Sequence, residues 1–315
     1  MNAEDFIESQ IAKLSGEIKG RAVIALSGGI DSTVAAVLTN RAIGERLLCI
    51  YVDTGFMRKG ETENVTTLFY SLELNFKIVN AEGKFLKLLE NVTDPEMKRQ
   101  IIGRKFIEIF EEEAKLFGAE WLVQGTIAPD WIESGDSLRD RIKSHHNVGG
   151  LPEGMSLRLV EPLRDLYKDE VRSVARCLGI GSVDRQPFPG PGLAVRILGP
   201  INTHRVNIER EACAIVEEEL EKAHSEGMIG ELPWQYFAVL LPVRSVGVQG
   251  DERAYGETVV VRAVRSTDAM TARFSDIPHE VLENISTRIT NTLGSDVTRV
   301  VFDITNKPPA TIEWE

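Results

Sequence analysis

The run Ser27-Gly28-Gly29-Ile30-Asp31-Ser32-Thr33 has the residue types and the spacing to do chemistry. It follows the apolar stretch Val23 to Leu26 and leads into Val34-Ala35-Ala36, so it reads as a strand, a glycine turn and a helix N-terminus in succession. Two glycines let the backbone close around an anion, and the hydroxyls of Ser27, Ser32 and Thr33 add donors. The helix start supplies amides without intrahelical partners and a favourable dipole. Phosphate is the ligand such a turn suits. The same residues also allow a tight turn capped by Asp31 or Ser32. A Walker loop needs a lysine that this run lacks, and GxGxxG does not match, so the grip would be of another kind.

Other groups stand where strands end. The second predicted strand closes on Val52-Asp53-Thr54-Gly55, and a fourth closes on Gln124-Gly125-Thr126, with Pro129-Asp130 just beyond. Open α/β sheets bind nucleotides at the carboxyl ends of their strands. Arg139, Arg141, Lys143, His145 and His146 crowd a polar stretch where cations could fold over an anionic ligand. Adjacent histidines point apart along a chain, and Cys49, Cys177 and Cys213 stand singly, so neither zinc nor a disulfide framework is expected. Lys98 and Arg99 offer two cations early on a helix, or a solvated face.

The elements that must position these residues alternate. Phe6, Ile7, Ile11, Leu14 and Ile18 recur at helical spacing over the first twenty residues. Strands are predicted at Val23 to Leu26, Leu47 to Asp53, Phe76 to Val79 and Trp121 to Val123. Helices are predicted from Ser32 to Ala42, Glu61 to Leu72, Asp94 to Lys115 and Lys168 to Leu178. That order implies a doubly wound parallel sheet. The stretch near 127–158 loses periodicity and is long enough to be a lid. Pro187-Phe188-Pro189-Gly190-Pro191 sustains neither helix nor central strand, which divides the chain into 1–185 and 186–315. The second part mixes helices (205–223, 278–293) with strands (236–243, 258–264, 299–304), an α+β domain.

A net charge of −12 over 315 residues argues against a nucleic-acid polymer as partner. An acidic N-terminus and the want of a roughly 20-residue apolar run predict a soluble, cytoplasmic protein, with no membrane partner.

The motif SGGxDS resembles the loop of the N-type ATP pyrophosphatases, which include GMP, NAD, asparagine and argininosuccinate synthetases. Asp94 to Arg104, Ile142 to Asn147, Pro187 to Leu193 and Lys307 to Glu315 narrow the resemblance to the GMP synthases, nearly end to end. It implies that Ser27 through Thr33 hold ATP's leaving pyrophosphate, with Val52 and Gly125 beside the nucleotide and Asp31 placing Mg²⁺. It implies that Asp31, Asp130 and Lys143 serve the adenylation centre. It further implies that Arg99, Pro189, Gly190, Pro191, Lys307, Ile312 and Glu313 meet XMP. The chemistry would be adenylation of XMP at its C2 oxygen, then amination by ammonia, giving GMP, AMP and pyrophosphate. GMP synthases commonly carry a glutaminase domain ahead of the loop. Only 26 residues precede it here, so a separate glutaminase subunit is expected, as in the archaeal form, together with a homodimer built on the second domain.

Overall fold

The computed structural model describes residues 2–129, 157–181, 186–267 and 269–315. The described residues form two compact units. One comprises 1–53, 62–80 and 106–184; the other comprises 54–61, 81–105 and 185–315.

The first unit opens with α1 (Ala3–Glu17), capped by the Asn2 side chain on the Glu4 amide. It ends at Glu17, short of Gly20, because Ile18 and the residues after it turn extended toward the sheet. Then come β1 (Ala22–Ala25), α2 (Ile30–Ile43), β2 (Leu47–Asp53), α3 (Glu61–Ser71) and β3 (Phe76–Asn80). The strands β4 (Trp121–Val123) and β5 (Arg158–Val160) complete the sheet. All five strands run parallel in the order β3-β2-β1-β4-β5. Burial on both faces explains why β1 and β2 are nearly continuous apolar runs instead of alternating ones. The strand order reverses between β1 and β4, so the loops leaving their carboxyl ends lie at the switch point of the sheet.

Two elements of this region go beyond the sequence expectation. Strand β5 lies at the end of the stretch expected to be lid, and pairs with β4 over three residues. Helix α4 (Glu82–Leu89) follows β3. Helix α5 (Pro95–Phe117) starts as expected, with the Asp94 carboxylate accepting from the Met97 amide at 2.8 Å and Pro95 in the first turn. Helix α6 (Lys168–Cys177) closes the first unit.

The second unit is built on α7 (Thr203–Ser225), the antiparallel hairpin β6 (Gln235–Gln249) and β7 (Glu252–Arg265), β8 (Arg273–Phe274), α8 (His279–Leu293) and β9 (Val297–Phe302). Strand β7 is central, antiparallel to β6 and β8 and parallel to β9. The two-residue β8 was not expected, and both hairpin strands are longer than the sequence suggested. Their outer halves hold Gly247 and Gly256 and expose several side chains, which weakens the strand pattern there. The core lies where Ile208, Cys213, Ile215 and Val216 of α7 are buried alongside Phe237, Val239 and Val259 to Val261 of the sheet.

Candidate active site

The glycine run forms the turn between β1 and α2. Gly29 is the N-cap of α2 and makes no side-chain cap bond, so Asp31 sits inside the first turn and does not cap it. Ser32 and Thr33 turn their hydroxyls back onto the Gly29 carbonyl at 3.1 and 2.8 Å, and Ser27 Oγ lies 3.3 Å from Ser32 Oγ. The Gly29 amide leans on Ser27 Oγ at 3.4 Å. Thr33 is the first residue whose amide reaches back to a carbonyl of the turn, at 3.1 Å to Gly29. The amides of Ile30, Asp31 and Ser32 therefore precede the helix's own ladder and face the mouth of the turn.

Gly125, leaving β4, approaches this turn closely. A Cβ there would fall 2.9 Å from the Asp31 carbonyl carbon and 2.9 Å from the Ser32 nitrogen. Only glycine lets the two switch-point loops meet backbone to backbone. Beyond it, the Gln124 amide bonds the Val160 carbonyl at 3.0 Å and the Ala128 amide bonds Leu166 at 2.9 Å, which ties the exit of β4 to the approach to α6.

That path delivers a residue the sequence reading missed. Lys168, at the start of α6, donates from Nζ to Asp31 Oδ2 at 2.6 Å. The pair is partly open to solvent. The cation that the loop lacks thus comes from 137 residues further along the chain. One signal was legible: a lysine in the first turn of a helix opposes the dipole, a placement that calls for another reason.

The other oxygen of that carboxylate, Asp31 Oδ1, is buried and has no hydrogen-bond partner among the described residues. It suits a hard cation. No group of three His, Cys, Asp or Glu side chains gathers among the described residues, so phosphate oxygens and water would supply the remaining ligands of Mg²⁺. Val52 is buried at the end of β2, where Asp53 accepts from the Thr62 hydroxyl at 2.8 Å. Asp130, Arg139, Arg141, Lys143, His145 and His146 lie outside the described residues.

The residues matched to XMP contacts all belong to the second unit. Pro187 to Leu193 is not a free hinge. Leu193 donates to the Phe56 carbonyl at 2.8 Å, Gly192 to Pro189 at 2.9 Å, and Arg58 donates to the Gln186 carbonyl at 3.0 Å while lying 4.4 Å over the Phe188 ring. Arg99 bonds the Glu315 backbone, and the fully buried Lys98 holds the Glu315 carboxylate and the Ile197 carbonyl, the latter at 2.7 Å. Burial pulls the Lys98 ammonium below its usual range, against the attraction of Glu315. Lys307 pairs its backbone with Ala272 and donates from Nζ to Ala269 at 2.7 Å. Ile312 is buried, and Glu313 is forked by Arg196.

The last residues are pinned. Arg262 donates to the Thr305 and Thr311 carbonyls at 2.6 and 3.0 Å, and the Trp314 indole donates to Asp303 at 3.0 Å.

Residues 1–103 match the family model described as NAD synthase, and residues 218–314 match the one described as GMP synthase C terminal domain. A parallel sheet with this loop at its switch point, joined to that C-terminal domain, makes the chain an ATP-using synthetase of the pyrophosphatase class. The ATP pyrophosphatase subunit of glutamine-hydrolyzing GMP synthase from Thermoplasma acidophilum is 54% identical over 100% of both chains, and its counterpart in Methanopyrus kandleri is 59% identical over 98% of both. The chain belongs to this family, the ATP pyrophosphatase subunits of glutamine-hydrolysing GMP synthase. Among solved structures, the NMN synthetase of Francisella tularensis matches 62% of this chain and 79% of its own at 17% identity, with a TM-score of 0.47.

Proposed function

We propose that the turn between β1 and α2 binds the triphosphate of ATP so that AMP, and not phosphate, is handed to the acceptor. The acceptor is XMP and the product GMP, as the chain's family makes them. The observation that carries the site assignment is the Asp31–Lys168 pair at the N-terminus of α2, on the carboxyl edge of the sheet. A carboxylate oxygen for a cation, a lysine for a phosphate and three helix amides converge on one turn.

In this reading the C2 oxygen of XMP attacks the α-phosphorus, pyrophosphate leaves, and ammonia then displaces AMP from C2. The amides of Ile30 to Ser32 hold the β- and γ-phosphates in line, and Lys168 takes part of their charge. Mg²⁺, when bound beside Asp31 Oδ1, neutralises the leaving pyrophosphate. No protein nucleophile is required, and acceleration comes from alignment and charge compensation. Asp130 and Lys143 are assigned to the adenylation centre, and Val52 and Gly125 to the nucleotide's surroundings, by the family resemblance. Arg99, Pro189 to Pro191, Lys307, Ile312 and Glu313 are assigned to XMP on the same ground.

We further propose that 1–185 acts as the ATP pyrophosphatase part and 186–315 as the XMP-binding and dimerising part. A separate glutaminase subunit would supply ammonia, in keeping with the relatives' names, which describe each as one subunit of a glutamine-hydrolysing enzyme. Three free thiols suit a reducing cytoplasm, and no helix among the described residues is long and apolar enough to cross a membrane.

The test is product analysis. With XMP, ATP, Mg²⁺ and ammonium the purified chain should release AMP and pyrophosphate in equal amounts, and Asp31→Ala should reduce the rate by about a hundredfold or more. Formation of ADP would overturn the reading.

A further inference from the structure

Glu313 is held by an unusually complete set of donors. Arg196 donates from Nε to Oε2 at 3.0 Å and from Nη2 to Oε1 at 2.8 Å, and Gln235 Nε2 donates to Oε1 at 2.8 Å. A carboxylate has roughly four acceptor positions, so three are spent. One, on Oε2, remains.

Arg196 is itself immobilised. Its side chain is fully buried, with the guanidinium 4.0 Å from the centre of the Phe237 ring and 5.2 Å from that of Phe188. Burial alone would lower its pKa, but the Glu313 carboxylate, with Cys213 and Glu209 nearby, outweighs that and raises it. The ion pair therefore persists at any working pH. Three segments meet here: the turn after Pro187-Phe188-Pro189, the start of β6 with Gln235 and Phe237 two residues apart on one face, and the C-terminal tail.

We propose that Arg196 is a positioning residue that fixes the Glu313 carboxylate, with Gln235 as the third donor, so that Glu313 offers one lone pair to one donor of the nucleotide. The ligand group is then a ribose hydroxyl or a ring N–H. It is not the phosphate, which a permanent carboxylate repels. The inference rests on the assignment of Glu313 to XMP, and its test separates the two.

Steady-state kinetics of the whole chain with ammonium, XMP, ATP and Mg²⁺ provide that test. Lysine keeps the charge of Arg196 but cannot form the fork, so R196K should raise the XMP KM about tenfold and change kcat and the ATP KM by less than about twofold. Gln235→Leu, which leaves the fork intact, should raise the XMP KM about threefold. E313Q is the reference. Adding R196K to E313Q should change the XMP KM little further, since the first change acts through the residue the second removes. An unchanged XMP KM in E313Q overturns the assignment of Glu313 to XMP. A raised value in E313Q with an unchanged one in R196K overturns the positioning role alone. Equal losses in kcat and in both KM values for R196K, with a lowered melting temperature, would make Arg196 a structural residue only. If R196K does not fold, Gln235→Leu and its double variant with E313Q decide by the same criteria.

Discussion

Lys168 and Asp31 illustrate what a sequence hides at the scale of a residue. Asp31 was legible because glycines and hydroxyls surround it, whereas Lys168 is distant in the chain and meets it only through the β5-to-α6 connection. Lys168→Met should lower kcat/KM for ATP about ten- to a hundredfold in the pyrophosphate assay while leaving the melting temperature nearly unchanged, because the pair is partly solvated. Glu209 was not singled out at all, since a glutamate on a helix usually faces water. In the structure it is fully buried, with Cys213 donating its thiol to Oε1 and with Arg196, Arg205 and Glu313 near enough to act on its charge. Burial pushes its pKa from 4.5 up to about 8. Between those two values the folded chain binds a proton that the unfolded chain has lost, so stability falls as pH rises through that window. Glu209→Gln should flatten this dependence. Thermal unfolding at pH 5 and pH 8 checks it: the drop in melting temperature should be smaller in the variant than in the parent chain.

Elements were legible where one rule dominated. The buried runs of β1 and β2 and the Asp94-Pro95 start of α5 each carry a strong local signal. Helix α4 did not, because it is eight residues long and contains Gly83, and β5 did not, because a three-residue strand owes its existence to β4 beside it. The close approach of Gly125 to α2 is likewise a property of packing between elements. Its consequence is direct: Gly125→Ala must push the first turn of α2 away, by backbone against backbone, with no flexible side chain to yield. The variant should raise the ATP KM about tenfold and destabilise the chain by about 1–3 kcal/mol in urea unfolding. Gly192→Ala meets a second obstacle, since its φ is +64° and its Cβ would lie 2.3 Å from the Phe56 carbonyl oxygen. Strain and clash together should cost about 2–4 kcal/mol by the same measurement.

At the scale of the whole molecule, the hairpin β6–β7 bears on self-association. Val243, Val246 and Val248 on β6 and Tyr255 on β7 are exposed, and the register sets Val246 opposite Tyr255. Val301 of β9 and Ile304 just after it are exposed as well. Isolated exposed valines need no explanation, but a cross-strand apolar pair flanked by others on one hairpin is a surface that gains from being covered. The proposed homodimer would cover it. Net charge opposes that association, because each chain carries −12 and two like-charged chains repel until salt screens them. The two effects predict a dimer that tightens with ionic strength, the reverse of an interface held by ion pairs. Light scattering at micromolar concentration should give a dimer whose dissociation constant falls between about 50 mM and about 500 mM salt. Val246→Glu combined with Val248→Glu should give monomer at both, with the far-ultraviolet dichroism of the parent chain retained. A parent chain that is monomeric across that range, or a double variant that still dimerises, would remove the hairpin from the interface.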